Sequence, residues 1–344
     1  MASPSPRVSA ITATYNGVQY LGSALESMLG QTFSDFEYIV VDDASTDQTP
    51  EILRGYAARD ARLVVLRNEV NRNPSVSLNR ALQVAQGEYV AVLDHDDLAH
   101  PKRLALQVAY LDTHPEIGVL GAQVTIVSAQ GQPLRPLSFP TTPESSRWQI
   151  LFGAPCQHSA VLLRRALALQ VGGYEEQQWW ANDYQLLINL LKLTNITNLP
   201  ETLASYRRHP GQTLSVYTHK QLATIWMLIY TLLVERLNLR VSLDEIGLLY
   251  RAGRGASLPD AVPLRRAANL LLTIRERYLN LENLSAITRA DIDNDCARRL
   301  VMMAWTHRSG QPEESRMLFQ TARDISPEFC QGPGFEAFLK RLEH

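Results

Sequence analysis

The sequence predicts an α/β protein: a central sheet that opens with parallel strands separated by helices, followed by a region that is nearly all helix. Three observations carry this expectation. Short apolar runs alternate with segments of helical period from residue 8 to residue 93. Three of those runs end in polar clusters, Thr14-Tyr15-Asn16, Asp42-Asp43 and Asp94-His95-Asp96-Asp97. From about residue 216 the strand pattern stops and helical periodicity continues alone. A β-α-β-α alternation joins parallel neighbours through crossover helices. In such sheets ligands sit beyond the carboxyl ends of the strands, so the three polar clusters are expected on one rim.

Taken in order, VSAITAT (8–14) reads as a buried strand. YLGSALESMLG follows with Leu21, Ala24, Leu25, Met28 and Leu29 on one helical face. FEYIVVDD is a second strand; Thr49 and Pro50 are expected as the cap and first turn of a helix through Ile52, Leu53 and Tyr56. RLVVL is a third strand, 76–86 a helix and YVAVL a fourth strand. The pattern is then mixed. A helix from Pro101 carries Leu104, Val108 and Leu111, and IGVLGAQVTIV is a strand. Four prolines between residues 131 and 143 predict an extended loop over the rim. HSAVLLR and TLASYRRH read as strands, with the helix NDYQLLINLLKL between them. Beyond the boundary placed near residue 215, Ser242 and Glu245 form a capping box, and residues 263–283, 291–308 and 312–324 read as helices.

Composition narrows the function. The 33 Lys and Arg residues balance 35 Asp and Glu, which argues against non-specific nucleic-acid binding. Three widely spaced cysteines make neither a disulfide framework nor a close zinc cluster, so a cytoplasmic, reducing setting is expected. LATIWMLIYTLLVERL, from Leu222, falls short of about 18 uninterrupted apolar residues and reads as a buried helix, with peripheral membrane contact left open. No GxxxxGK[ST] loop is present, nor a clean GxGxxG after the first strand.

The rim carries the chemistry. Residues two apart in an extended segment face the same way, so Asp94 and Asp96 can converge. Such a pair serves either as a turn or helix cap, or as a site for a divalent cation that also takes substrate phosphates.

VSAITATYNGVQYLGSALESMLGQTFSDFEYIVVDDASTDQTPEIL, followed by GEYVAVLDHDDLAHPKRL, resembles the family 2 glycosyltransferases, from about Val8 to Ser215. The resemblance implies a GT-A type mixed nucleotide-binding sheet flanked by helices over residues 1–215. It leaves the helical C-terminal region, 216–344, without an assigned role; its apolar faces are open to a second copy or a membrane surface. It further implies an inverting, metal-assisted transfer, with Mn2+ or Mg2+, of sugar from a nucleoside-diphosphate sugar, UDP-linked in many relatives, to a saccharide or lipid-linked acceptor.

Carried over position by position, Tyr15 would lie against the base, with Thr14 and Asn16 shaping that pocket. Asp43 would accept a hydrogen bond from the base, with Asp42 beside it either binding or capping ahead of Ser45. Asp96 would ligate the metal, and Asp94 would reach the ribose or a metal-bound water. Asp97 would cap the helix at Pro101. Asp183 would be the general base, opening a helix where the family has a Glu-Asp pair and this chain has Asn182-Asp183. His209 would approach the metal, Arg207 and Arg208 would meet phosphate or solvent, and Trp179 and Trp180 would form a sugar platform. Asn79 matches a substrate-side Asn, although the stretch 71–79 departs from the family pattern. Two rivals stand beside this reading. A nucleotidyltransferase would show a Gly-rich basic loop where this chain has TATYNGVQY. The other is a non-catalytic nucleotide-sugar- or partner-binding protein on the same scaffold, a reading that Asn182 and the altered 71–79 stretch keep open.

Overall fold

Strands β1 (Val8–Thr14), β2 (Phe36–Asp42), β3 (Leu63–Arg67) and β4 (Tyr89–Val92) are parallel neighbours in the order β3-β2-β1-β4. The computed structural model that shows this describes residues 5–177, 179–212, 218–281 and 283–331. The order reverses at β1, which has β2 on one side and β4 on the other. The carboxyl ends of β1 and β4 therefore flank a topological switch point, where the connecting loops part and leave a crevice. Thr14 and Asp94 stand at these two ends.

The rest of the sheet is mixed. Strands β5 (Leu98–Ala99), β6 (Ile117–Val127), β7 (Pro133–Leu137), β8 (Leu162–Arg164) and β9 (Asn195–Arg207) extend it as β4-β8-β6-β9-β5, with β7 paired to β6 off that path. β8 is antiparallel to both β4 and β6, whereas β6 and β9 run parallel. Helices α1 (Leu21–Leu29), α2 (Thr49–Ala57), α3 (Pro74–Val84), α4 (Arg103–Thr113), α5 (Pro143–Gln149), α6 (Arg165–Gln170) and α7 (Asn182–Leu190) connect these strands. The core is apolar around β1, β2 and β4, where Ile11, Ile39, Val40, Ala91 and Val92 are fully enclosed. It also encloses a cation. Arg103, at the start of α4, is entirely buried and donates to the carbonyls of Val92 (2.9 Å) and Val161 (2.8 Å) and to Gln107 (3.1 Å).

Local details depart from the sequence expectations at three places. The proline-rich stretch is not wholly a loop: Pro133–Leu137 forms β7, an outlying strand on β6, where missing amide donors are tolerated. Thr49 is not the cap of α2. It lies inside the helix; Asp47 accepts its amide proton (2.9 Å), and its own hydroxyl accepts from the Gly17 amide (2.9 Å). HSAVLLR starts as a short 3-10 turn, His158–Ala160, before β8. That turn aims the His158 and Ser159 side chains at the end of β4.

Contacts divide the chain into two units. The first holds residues up to Ile150 and Ala154–Thr224; the second groups Leu151–Gly153 with the chain from Ile225 onward. The division thus falls a few residues beyond 215 and adds a short piece from the middle of the sequence. Helices α8 (Thr218–Leu237), α9 (Leu243–Ala252), α10 (Ala261–Leu281), α11 (Ala286–His307) and α12 (Pro312–Ile325) follow in chain order. The capping box of α9 is present: Ser242 Oγ accepts from Glu245 N, and the Glu245 carboxylate accepts from Ser242 N at 2.9 Å. α8 is amphipathic rather than wholly buried, enclosing Ile229, Leu232, Leu233 and Leu237 while exposing Met227 and Val234. No helix among the described residues is long and apolar enough to cross a membrane. Within the second unit, Phe152 packs beneath the Arg299 guanidinium, 4.0 Å from ring centroid to Cζ, and Arg299 donates to Asp295 at 2.7 Å.

Candidate active site

A cleft of about 800 Å³ opens at the switch point. Thr14, Tyr15 and Asn16 reach it from β1, Asp43 from β2, and His95 and Asp96 from β4. The three strand ends expected on one rim do meet there. Tyr15 is exposed, with 44% of its surface open. Asn16 adopts φ +50°, and its Oδ1 accepts the Thr46 amide (2.9 Å), which fixes the loop after β2. Trp179, Asn71, Asn73 and the segment 209–212 add to the lining.

The acidic tip of β4 solves its own repulsion one carboxylate at a time. Asp97 is fully buried; its Oδ1 accepts the Arg207 amide (2.8 Å) and its Oδ2 meets Ser159 Oγ. It does not cap the helix at Pro101. Burial, reinforced by Asp96 and Asp94, pushes its carboxyl well above the usual range. Ser159 Oγ also lies 2.9 Å from Asp94 Oδ2 and accepts the Asp94 amide (3.2 Å). A hydroxyl has one proton and cannot donate to both acids. The consistent assignment keeps the proton on Asp97, which donates to Ser159, which donates to Asp94. Burial alone would raise Asp94 as well, but the facing His158 ring and Ser159 overcome it and hold the carboxyl below its usual value. Beneath the tip, burial lowers the Arg103 guanidinium to about 10, with the ionised Asp94 opposing that shift; it remains a cation at neutral pH.

His158 is the residue the sequence reading missed. Its Nδ1 stands 3.1 Å from Asp94 Oδ1 and its Nε2 3.0 Å from the Tyr174 hydroxyl. Burial works against a charge on this ring, but Asp94 and then Asp183 outweigh it and raise its pKa. The only sequence signal was a histidine just ahead of a strand. Its partner lies 64 positions away, so its role depends on β8 pairing with β4.

The paired Asp42 and Asp43 divide as alternating strand residues must. Asp43 faces the cleft, where its carboxylate accepts from Asn68 Nδ2 (2.6 Å) and from the amides of Arg72 (3.1 Å) and Asn73 (3.0 Å). Asp42 does not line the cleft. Its Oδ1 accepts the Ser45 amide (2.9 Å) and its Oδ2 pairs with Arg67 (3.1 Å). Asn79 also lies off the cleft lining; it exchanges hydrogen bonds with the Tyr174 backbone, both 2.8 Å, and donates to Glu176 Oε1 (2.9 Å). It clamps the Gly172-Gly173-Tyr174 loop. Gly173 has φ +74°, and a Cβ there would fall 2.4 Å from Asn79 Oδ1, so the close approach requires glycine. Arg207 turns inward, donating to the carbonyls of Asp96 (2.8 Å) and Ala129 (3.1 Å), whereas Arg208 is exposed.

Asp183 sits in the first turn of α7, and among the described residues its carboxylate accepts no hydrogen bond. Its field reaches His158, Tyr174 and Cys156. Asn182, in place of an acid, donates to Ser75 Oγ (2.9 Å) and accepts the Asp183 amide (2.8 Å). Trp179 and Trp180 are in contact, ring centroids 4.1 Å apart, but it is Trp179 that lines the cleft; Trp180 faces the Lys220 ammonium at 4.6 Å.

His209 Nε2 lies 2.9 Å from Asp96 Oδ2. Adjacent ligands of an octahedral ion with bonds of about 2.1 Å stand about 3 Å apart, so this pair fits one edge of a Mg2+ or Mn2+ shell. Asp94 is drawn instead toward His158 and Ser159. No cluster of three or more His, Cys, Asp or Glu residues able to hold a metal occurs among the described residues. An ion on Asp96 and His209 would draw its other ligands from substrate phosphate and water, as Mg2+ commonly does.

A model of the family described as "Glycosyl transferase family 2" matches residues 9–212. An uncharacterized glycosyltransferase of Haemophilus influenzae is 27% identical over 290 residues, covering 80% of this chain and 87% of its own length. Another, from Methanocaldococcus jannaschii, is 37% identical over 132 residues, 38% of this chain and 46% of its own length. Among solved structures, S. aureus TarS 1-349 in complex with UDP matches with TM-score 0.54 at 23% identity, covering 94% of this chain and 88% of that one. The same protein with UDP-GlcNAc matches with TM-score 0.55 at 21% identity, covering 93% and 92%. These structural matches speak to the fold.

Proposed function

The chain belongs to glycosyl transferase family 2 and is a glycosyltransferase, and we propose that it moves a sugar from a nucleoside-diphosphate sugar to an acceptor hydroxyl by direct, inverting displacement. The observation that carries this reading is the convergence of three strand ends on one cleft, with Asp96 and His209 in contact on its floor. A uridine donor is the choice supported by the chain of like fold solved with UDP and with UDP-GlcNAc.

Each residue then has a task. Tyr15 offers an exposed ring to the base, Thr14 and Asn16 bound that pocket, and Asp43 holds the Arg72 and Asn73 amides in place behind it. Asp96 and His209 would hold Mn2+ or Mg2+, which when bound offsets the charge developing on the leaving diphosphate. Asp94, kept ionised by His158 and Ser159, stands just behind the cleft lining. Asp183 takes the proton from the attacking hydroxyl; an unengaged carboxylate at a helix start is free to do so. Trp179 supplies an apolar wall for a sugar ring. Positioning and charge complementarity carry the rate.

The transfer machinery lies in residues 1–215, and the acceptor is a saccharide or a lipid-linked saccharide. Three buried, unpaired cysteines support a cytoplasmic setting, and exposed Met227 and Val234 on α8 leave room for a membrane surface or a second copy. The test is Asp183→Asn. It is expected to cut transfer at least 1000-fold, on the order of about 4 kcal/mol of lost transition-state stabilisation, while calorimetric UDP affinity in Mn2+ stays within about threefold. Normal turnover by this variant would refute the assignment of the base. Nucleotide-sugar binding by the wild type without any turnover would favour the non-catalytic binding protein.

A further inference from the structure

One set of contacts beside the cleft has no part in the transfer steps. Tyr174 is 4% exposed, and its hydroxyl ends on His158 Nε2 at 3.0 Å. The two rings meet edge-on, centroids 5.6 Å apart. The other imidazole nitrogen ends on Asp94 at 3.1 Å. A side-chain bridge therefore runs from the 172–176 loop to the tip of β4.

Both ends of the bridge are anchored. At the loop end, Asn79 holds the Tyr174 backbone on both its amide and its carbonyl, and Asn73 donates to the Glu176 carbonyl (3.1 Å). Asn73 is itself held through its amide by Asp43. At the strand end, Asp94 is held by Ser159, which also meets Asp97, and Asp97 is tied to β9 through the Arg207 amide. The circuit runs from the carboxylate at the end of β2 to the carboxylate at the end of β4, passing through the segment that leads into Asp183. Neither Tyr174 nor His158 lines the cleft, and the polar end of each is taken up by another side chain.

We propose that Tyr174 and His158 form a positioning strut that fixes Asp94 relative to the Asp183-bearing segment, and so governs the rate of transfer rather than the affinity for nucleotide. The strut rests on the transferase reading above. It works by geometry: a side chain shifted by about 1 Å at a reacting centre can cost about 100-fold in rate. A hydroxyl-to-imidazole-to-carboxylate chain fixes two angles at Asp94 that a single contact would leave free.

The test uses the full chain in three forms, Tyr174→Phe, His158→Gln and the double variant. Donor turnover and calorimetric UDP affinity in Mn2+ are both measured, with thermal unfolding as the check on folding. Tyr174→Phe, which removes one oxygen and keeps the ring, is expected to lower kcat about 10-fold; His158→Gln is expected to lower it about 100-fold. UDP affinity should stay within about threefold in both. The double variant should be no slower than His158→Gln alone, because parts of one unit are not additive. Unchanged kcat in Tyr174→Phe would overturn the strut even if His158→Gln failed to fold. Affinity falling in step with kcat, or losses that multiply in the double variant, would also overturn it. A wild type that neither binds nor turns over a nucleotide-sugar would instead remove the transferase reading, and the strut with it.

Discussion

Asp94, Asp96 and Asp97 are neighbours in sequence, yet each has a different environment and a different task. Asp96 meets His209 at the cleft, Asp94 is held by His158 and Ser159, and Asp97 is enclosed with its proton. Asp97 makes a pH prediction. Its folded pKa lies above the unfolded value of 3.8, so its favourable contribution is complete below that value and is lost as pH rises through the raised pKa. Asp97→Asn keeps a neutral donor to Ser159, so its unfolding free energy should lose that decline when melts are compared from acid to mildly alkaline pH. Asp97→Ala should instead cost about 1–3 kcal/mol for the Arg207 amide it leaves unpaired. At this scale the sequence showed which strand ends would be acidic. It could not show which acid turns to solvent, since Asp42 and Asp43 are told apart only by the face each takes, or that Asn79 would clamp a loop 95 positions away.

Elements were more legible where their determinants are local. The helices of the first half follow their apolar spacing, and the capping box at Ser242 and Glu245 needs only residues three apart. Ser242→Ala should lower the stability of the second unit by about 1 kcal/mol, read as a shift in its denaturant midpoint. Elements that depend on distant pairing were harder to read. β7 exists because β6 offers it an edge, although two of its five residues are proline. The turn before β8 depends on how the chain arrives at β4. Thr49 looked like a cap, but Asp47 two residues earlier accepts the amide it would have left free.

On the scale of the whole molecule, the parallel order of the first four strands was within reach of a sequence argument, because alternation and right-handed crossovers restrict it. The mixed half was not, because β6 and β9 pair across a long loop-rich stretch whose register no local pattern sets. The division into units likewise escaped a linear reading, since Leu151–Gly153 belongs with the helices from Ile225 onward. A chain ending at residue 215 should therefore behave poorly. Leu151 and Phe152, 1% and 6% exposed in the full structure, would lose the neighbours of the second unit. Gel filtration should show the short chain aggregating, and a polar Phe152→Ser change should restore a monomer peak. An equally well-behaved short chain with Phe152 intact would show that the segment does not need the helices.

That same segment has a consequence in time. Leu151–Gly153 leaves the ribosome about 70 residues ahead of Ile225, which at roughly 5–20 residues per second is an interval of roughly 4–14 s. Throughout it a leucine and a phenylalanine stand bare in water in a nascent chain that is still adding β8 and β9 to its sheet, and the order of synthesis alone decides how long they wait.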